Sequence, residues 1–225
     1  MRICAVSDQH GHLDLRIPHC ELLIHAGDIC PDRIGAFRAR RFPEQQGGWF
    51  VQEWIEWRKR QPADAVCATW GNHDYCGELQ RQPRLDFPGK TRVAIDCLLE
   101  VHGLKIWCSP WSNQFMTWAF MKLPTDLEDV YAGIPDGTDI IVSHQPPYGY
   151  GDQTPADLAG GTQSEHIGSK QLRAAIDRVG PRAVVCGHVH MGYGVYMYRK
   201  TRIYNVSVAD QQYRLVRGAT EIVLD

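Results

Sequence analysis

The chain has 225 residues, which is enough for one substantial hydrophobic core and short for two independent domains. Its 24 basic and 26 acidic side chains give a formal net charge of −2, so the strong positive field of proteins that bind long nucleic acids or anionic membranes is excluded. No apolar stretch approaches the roughly 20 residues of a membrane-spanning helix, and the start, MRICAVSDQH, turns polar too early for a signal peptide. We therefore predict a single domain over residues 1–225, located in the cytoplasm.

Short apolar runs recur along the chain and are typical of strands buried on both faces of a sheet. In chain order they are RICAVSD, ELLIHAGD, DAVCATWGN, TDIIVSH and RAVVCGH. The eight cysteines form no CxxC pair, and several lie within these runs. We interpret them as buried free thiols in a reducing compartment rather than as a disulfide scaffold.

Two segments between the strands have apolar residues at helical spacing. GWFVQEWIEWRKRQ predicts an amphipathic helix that ends at Pro62. GSKQLRAAIDRVGP predicts a second helix, which Gly180 and Pro181 stop. The predicted apolar stripes are Phe50, Val51, Trp54, Ile55 and Arg58 in the first helix and Leu172, Ala175, Ile176 and Val179 in the second.

The remaining segments are predicted to form antiparallel strands. RVAIDCLLEVHGLKIWCSPW predicts a hairpin joined at Gly103, and YGVYMYRKTRIYNVSVAD and YRLVRGATEIVLD predict further hairpins. Together with the buried strands, this pattern favours an α/β fold with about ten strands in two stacked mixed β-sheets flanked by helices.

The buried strands end in residues that can bind metals. In α/β sheets, ligands bind beyond the carboxyl ends of the strands, so we expect these side chains to converge. Imidazole, carboxylate and carboxamide groups suit Mn²⁺, Fe²⁺ or Zn²⁺. Each motif alone also has a structural explanation, because Gly-Asp and GNHD are turn sequences and a lone histidine is often only hydrogen-bonded. The motifs are Asp8-Gln9-His10, Gly27-Asp28, Gly71-Asn72-His73-Asp74, His144 and Gly187-His188-Val189-His190.

The order of these motifs, DxH, GD, GNHD, a lone His and GHxH, resembles that of the calcineurin-like metallophosphoesterases and spans the chain from Asp8 to His190. The segments WCSPWSNQFMTWAF, SHQPPYGYGD, GHVHMGYG and YNVSV are similar to the small branch of metallophosphoesterase-domain-containing proteins. Some relatives in that branch are described as phosphodiesterases acting on cyclic nucleotides. The resemblance implies the calcineurin-like sandwich of two mixed sheets.

The resemblance also implies a dinuclear centre with two divalent metal ions, Mn²⁺ being preferred over Fe, Zn, Ni or Co. By analogy with the family, Asp28 bridges the two ions, and Asp28 and Asn72 form part of the catalytic centre. The implied ligands of the first ion are Asp8, His10 and His190. The implied ligands of the second ion are Asn72, His144 and His188.

The reaction implied by the resemblance is attack of a metal-bridging hydroxide on phosphorus. His73 matches the acid that protonates the leaving group, and Asp74 could orient it. Related protein phosphatases read GDxxDRG, whereas this chain reads GDICPDR. Because Asp32 is shifted one residue further from Asp28, an acidic partner for His73 from this loop is not expected, and a phosphoprotein phosphatase is disfavoured.

The preferred function is hydrolysis of a small or nucleotide-like phosphodiester. A phosphomonoesterase or a nuclease of the same family remains an alternative, and so does a non-catalytic binding module on this fold. The intact set of ligand-type residues disfavours the binding module. We expect no membrane or long nucleic acid as partner, and the oligomeric state is left open.

Three features are candidates for contact with the substrate. The aromatic segment Trp107–Trp118, and Tyr193 beyond it, could stack on a nucleobase, but these rings could equally belong to the core. The arginines of residues 33–41 could bind phosphate, although a solvated loop is the preferred interpretation. Gly149, Gly151 and Asp152 suggest a flexible loop that borders the pocket.

Overall fold

The computed structural model of the protein describes residues 1–35, 37–155 and 165–224. Within these ranges, two six-stranded sheets form the centre of the fold, with three two-stranded pairs beside them. The strands in chain order are β1 (Ile3–Val6), β2 (Cys20–Ala26), β3 (Arg33–Ile34), β4 (Phe37–Arg38), β5 (Ala63–Thr69), β6 (Arg84–Phe87), β7 (Thr91–Ala94), β8 (Cys97–Val101), β9 (Leu104–Ser109), β10 (Ser112–Asn113), β11 (Met121–Lys122), β12 (Ile140–Ser143), β13 (Gln153–Thr154), β14 (Glu165–His166), β15 (Ala183–Cys186), β16 (Gly194–Tyr198), β17 (Thr201–Asn205) and β18 (Thr220–Ile222).

The two sheets share one plan. The first has the order β18-β1-β2-β5-β7-β6, and the second has the order β16-β17-β15-β12-β9-β8. In each sheet the four inner strands are parallel, and the strand at either edge is antiparallel. This architecture confirms the predicted fold of two mixed sheets, and it directs the carboxyl ends of the inner strands toward a common edge.

The predicted antiparallel segments have mixed outcomes. The hairpin joined at Gly103 is β8–β9, and the segment that begins at Gly194 forms the hairpin β16–β17. The last predicted hairpin is wrong, because β18 pairs with β1 at the other end of the chain, with Ile222 opposite Ile3. An edge strand can satisfy its backbone groups with any open neighbour, and the first sheet offers β1.

Side chains alternate between the faces of the buried strands, as the two-residue period requires. One set fills the space between the two sheets, while the opposite faces pack against helices. The residues between the sheets include Ile3, Ala5, Leu22, Ile24, Ile106, Ile140, Val142 and Val185.

The described helices are α1 (Pro43–Trp49), α2 (Ile55–Lys59), α3 (Pro124–Ala132) and α4 (Lys170–Val179). A π-helical turn, Phe50–Trp54, joins α1 to α2, so the first predicted helix is continuous but not regular. This wide turn shifts the phase of the apolar stripe. Val51 is consequently exposed, contrary to the prediction, and Trp57 is buried.

The helix α4 follows the sequence closely. Ser169 caps its first turn by accepting a hydrogen bond from the backbone N–H of Leu172, and Gly180 ends it in a left-handed conformation with φ of 61°. Its buried residues, Leu172, Ala175 and Ile176, belong to the predicted stripe.

All eight cysteines lie in the described ranges, and each is a free thiol. Seven of them are buried and Cys97 is half-buried, which confirms that they are not a disulfide scaffold. In the portion of the chain that the structure covers, no helix has the length and apolar character needed to cross a membrane.

Candidate active site

The candidate ligands lie where inner strands of both sheets end. Asp8 follows β1, Asp28 follows β2, and Asn72 follows β5 in the first sheet. His144 and His188 follow β12 and β15 in the second sheet. A parallel bridge between Ser7 and Ser207 and a hydrogen bond from Gly187 N to His144 O hold these strand ends together. The structure thus brings the side chains to one edge of the sandwich.

The backbone turns sharply at the strand ends. Asp8, His10, Asp28 and His188 have φ values of 57°, 43°, 53° and 66°. Non-glycine residues rarely adopt this left-handed conformation, which costs free energy and clusters at functional sites. Backbone hydrogen bonds from Asp8 to Gly27 O and from His10 to Asp28 O maintain these turns at 2.9 Å each.

One group of candidate ligands comprises Asp8, His10 and His190. Their ligand atoms all lie within 4.8 Å of one another. His190 Nε2 is 3.3 Å from Asp8 Oδ1 and 3.4 Å from His10 Nε2. His190 Nδ1 donates to the carbonyl oxygen of Asp210 at 2.7 Å, so its Nε2 keeps a lone pair directed into the group, as in metal-binding histidines.

A second group comprises Asn72, His144 and His188. Asn72 Oδ1 lies 2.8 Å from His144 Nε2 and 2.7 Å from His188 Nδ1. His144 Nδ1 donates to Ala26 O at 2.8 Å, which directs the Nε2 lone pair toward the site. An amide oxygen and an imidazole lone pair repel each other unless a proton or a cation lies between them. The donor set of this group therefore fits a divalent ion.

Asp28 lies between the two groups. Its Oδ2 is 3.8 Å from His10 Nε2 in the first group and 3.4 Å from His144 Nε2 in the second. Its Oδ1 accepts a hydrogen bond from the backbone N–H of His73 at 2.8 Å. One carboxylate oxygen thus faces both groups, which is the arrangement that a bridging ligand needs.

The electrostatics of the site favour deprotonated carboxylates. Burial alone would raise the pKa of Asp8 and of Asp28, but neighbouring histidines outweigh it and hold both below their usual value. Burial also opposes charge on His144, yet the carboxylates of Asp28 and Asp8 raise its pKa to about 9. The field at His144 Nε2 therefore favours a positive charge, which a proton or a metal ion can supply.

Two histidines of the site are held neutral. Burial lowers the pKa of His10 to about 4 and that of His188 to about 3. Metal ions bind neutral imidazole, so both side chains are in the state that binding requires near neutral pH.

His73 has an acidic partner that the sequence did not predict. Its Nδ1 lies 2.7 Å from Asp32 Oδ1 and 2.8 Å from Oδ2, and its Nε2 points toward Asp28 Oδ2 at 4.0 Å. Burial lowers the pKa of His73, but the charges of Asp28 and Asp32 outweigh it and raise the pKa. The expectation that the shifted Asp32 would not reach His73 is wrong, because the loop after β2 places both of its carboxylate oxygens within hydrogen-bonding distance of Nδ1.

Asp74 does not orient His73, contrary to the sequence-based suggestion. It is fully buried, and its carboxylate accepts hydrogen bonds from the backbone N–H groups of Ile29, Cys30 and Gly71 at 3.1, 2.8 and 2.8 Å. Burial and the charge of Asp28 raise its pKa to about 7. Asp74 ties the loop after β2 to the loop after β5, and so fixes Asp28 relative to His73.

Gly187 permits the close approach of β15 to the first strand. A Cβ atom at this position would collide with the side chains of Ser7 and Asp8. The next backbone N–H, that of His188, donates to both carboxylate oxygens of Asp8 at 3.1 Å. The glycine is thus required by the contact between the two sheets at the site.

We predict that Gly187→Ala lowers the free energy of unfolding by about 1–3 kcal/mol, because the added methyl group overpacks a rigid contact. It should also lower the metal content, since Asp8 must move. Urea unfolding and elemental analysis measure both effects. Gly218→Ala is the matched control, because no atom lies within 4 Å of a Cβ built there; equal behaviour of the two variants would contradict the prediction.

Two further neighbours of the site were not among the predicted site residues. Tyr213 places its ring 4.7 Å from that of His10 and 5.4 Å from that of His190. Ser207 Oγ donates to Asp8 Oδ2 at 2.7 Å. Both residues follow the last motif, and no spacing in the sequence connects them to their partners near the start of the chain.

The aromatic segment divides into core and site residues. Trp107 is buried against α3 and α4, which matches the core interpretation. Trp111 donates from Nε1 to Asp96 at 2.6 Å. Trp118 is half-buried and lies 4.2 Å from the ring of His73. Tyr193 contacts Arg217 and Thr220 instead of the imidazoles.

The other two candidate segments are the arginines of residues 33–41 and the stretch after SHQPP. Arg33, Arg38, Arg40 and Arg41 are exposed, which favours the solvated interpretation. In the stretch after SHQPP, Asp152 is fully buried and its carboxylate accepts hydrogen bonds from Gly149 N and Gly168 N at 2.9 and 3.0 Å.

Comparisons with known proteins find relatives along most of this chain. Metallophosphoesterase domain-containing protein 1 of Homo sapiens is 29% identical over an alignment that covers 100% of this chain and 70% of the relative. One crystal structure matches with a TM-score of 0.60 at 15% identity, covering 91% of this chain and 89% of the other. The crystal structure of TT1561 of Thermus thermophilus matches with a TM-score of 0.51 at 13% identity, covering 91% and 88%. These two structures support the fold alone.

The family comparison connects the fold to the site. The model of the calcineurin-like phosphoesterases matches residues 1–192, a range that contains both candidate ligand groups and His73. Divalent-metal dependence, which is a property of that family, agrees with the two candidate metal-ligand groups of the described residues, Asp8–His10–His190 and Asp8–Asp28–His144. The chain belongs to the calcineurin-like phosphoesterase family.

Proposed function

We propose that the protein is a dinuclear-metal phosphodiesterase that hydrolyses a small or nucleotide-like phosphodiester. The position of Asp28 Oδ2 carries this proposal, because the oxygen faces His10 Nε2 at 3.8 Å and His144 Nε2 at 3.4 Å. Two-metal phosphoryl enzymes hold their ions about 3.5–4 Å apart, and one shared carboxylate achieves that spacing.

In this proposal each of the two ligand groups would hold one ion, and Asp28 would contribute to both sites. Bound ions would supply positive charge for the phosphate oxygens and would activate a water molecule. Mn²⁺ is the preferred ion and Fe, Zn, Ni or Co are alternatives, since the N and O donors suit all of them. The ligands are Asp8, His10 and His190 in one group and Asn72, His144 and His188 in the other.

His73 holds the proton for the leaving group. Asp32 accepts from Nδ1 at 2.7 Å and so leaves Nε2 directed at the site. The charge of Asp32 raises the pKa of His73 and so favours the protonated imidazole. An alcohol that leaves from phosphorus needs this proton, because an alkoxide is a strong base.

A diester is favoured over a monoester by charge. The carboxylates of Asp8, Asp28 and Asp32 would offset most of the charge of two divalent ions. The small remaining positive charge suits a diester, which brings one negative charge, better than a monoester, which brings up to two. The net charge of −2 disfavours a nuclease of long DNA. A binding module is disfavoured, because every ligand-type residue and His73 are present.

We also propose that residues 1–225 form a single domain and that the protein acts in the cytoplasm.

The test compares bis-p-nitrophenyl phosphate with p-nitrophenyl phosphate, each with added Mn²⁺. We expect kcat/KM to be higher for the diester, and we expect EDTA to abolish turnover of both esters. Restoring Mn²⁺ after EDTA should restore the activity. A strong preference for the monoester would overturn the diesterase assignment, and purification in Mn²⁺ without bound metal would favour a binding module instead.

A further inference from the structure

Two partly exposed aromatic rings flank His73. Trp118 lies 4.2 Å from the His73 ring, and Tyr213 lies 5.7 Å from it, measured between ring centroids. Tyr213 is 44% exposed and Trp118 is half-buried, so both present a surface to solvent. Trp118 lies between β10 and β11, and Tyr213 lies between β17 and β18, so two separate loops bring their rings to this histidine.

The turn that carries Tyr213 is tightly held. Asp210 accepts from the backbone N–H groups of Gln212 and Arg214 through Oδ1, at 2.9 Å each, and pairs with the Arg214 guanidinium through Oδ2. Tyr213 N donates to Asp210 O, and His12 Nε2 lies 2.7 Å from Tyr213 O. Tyr213 itself has φ of 60°, a conformation that costs a non-glycine residue free energy. The position of this ring next to the imidazoles therefore costs conformational free energy.

Trp118 is also fixed to the site through its neighbours. The backbone N–H of Ala119 donates to Asn72 O at 3.1 Å, next to His73. Ala119 and Phe120 are buried, and Phe120 N donates to Glu78 Oε1 at 3.2 Å. These contacts hold the backbone that carries Trp118 next to the acid.

We infer that Trp118 and Tyr213 form an aromatic slot for a flat ring carried by the leaving group, either an aryl alcohol or a nucleoside. This inference rests on the proposed function. An acid must lie about 2.6–3.2 Å from the oxygen that it protonates, so the substituent on that oxygen lies beside His73. Trp118 and Tyr213 offer two aromatic surfaces there, and aromatic rings stack well on nucleobases and aryl groups.

A binding measurement tests the slot without turnover. The Mn²⁺-loaded protein is titrated calorimetrically with phenylphosphonate, with cyclohexylphosphonate as the size-matched non-aromatic ligand and with methylphosphonate as the baseline. We expect phenylphosphonate to bind about tenfold more tightly than methylphosphonate, which is the scale of one stacked ring, and cyclohexylphosphonate to gain less.

Variants identify the residues responsible. Tyr213→Ala and Trp118→Ala should each lose most of the phenyl preference, whereas Tyr213→Phe should keep it because it retains the ring. Tyr193→Ala is the control, since its ring contacts Arg217 and Thr220. Elemental analysis of each variant verifies that the metal content is unchanged.

Two results would overturn the slot. One is equal affinity of the wild type for phenyl- and methylphosphonate. The other is an equal loss of affinity for both ligands in the alanine variants, which would mean that the rings only support His73. A failure of the proposed function is seen separately, as a wild-type protein that binds phenylphosphonate preferentially but hydrolyses no diester.

Discussion

Asp28→Asn is expected to abolish diester hydrolysis, with a loss of about 10³-fold or more, and to reduce the bound metal to one ion or none. The substitution keeps the size of the side chain but removes the negative charge that both ligand groups share. Asp28 Oδ2 faces His10 and His144 at 3.8 and 3.4 Å, so no single neighbour can replace it. A two-metal site that loses its shared anion loses the attraction that holds two cations close together.

The measurement is elemental analysis beside kcat/KM for bis-p-nitrophenyl phosphate. Asp64→Asn is the matched control, because Asp64 is exposed on β5, the strand that leads to Asn72. The control should keep its metal and its activity. If Asp28→Asn instead kept two metal ions per chain, the bridging role would be refuted, whatever the effect on the rate.

The convergence of the site follows from a physical regularity that is visible in the sequence. Buried apolar runs become parallel inner strands, and residues that directly follow them, such as Asp8, Asn72 and His188, arrive at the same edge. This convergence can be predicted without knowing the conformation of the loops. The hairpin β8–β9 could also be predicted, because it is formed by neighbouring segments of the chain.

The features that the sequence did not reveal depend on loop conformation or on distant pairing. Asp32 reaches His73 through the conformation of the loop after β2, and motif spacing carries no information about that conformation. Tyr213 depends on a left-handed turn held by Asp210. Val51 is exposed because of a π-helical turn that a regular helical period cannot anticipate.

His73→Ala is expected to keep the metal content and to lose about 10²–10⁴-fold in kcat for a diester whose leaving group is an alcohol, the range typical of a missing general acid. A dinucleoside monophosphate provides such a leaving group. The loss should be smaller for bis-p-nitrophenyl phosphate, because p-nitrophenolate leaves without a proton. His19→Ala, at an exposed histidine, is the control. Normal activity of His73→Ala on the dinucleoside substrate would refute the acid role.

The pH dependence of kcat tests whether Asp32 raises the pKa of His73. Turnover that needs protonated His73 is present below the pKa of that histidine and declines as the pH rises through it. Burial lowers this pKa, but Asp28 and Asp32 raise it above its usual value. Asp32→Asn removes one of these charges, so the alkaline limb of kcat should move to lower pH while the metal content stays the same. An unmoved limb would mean that the contact of 2.7 Å between Asp32 and His73 orients the ring without tuning its proton affinity.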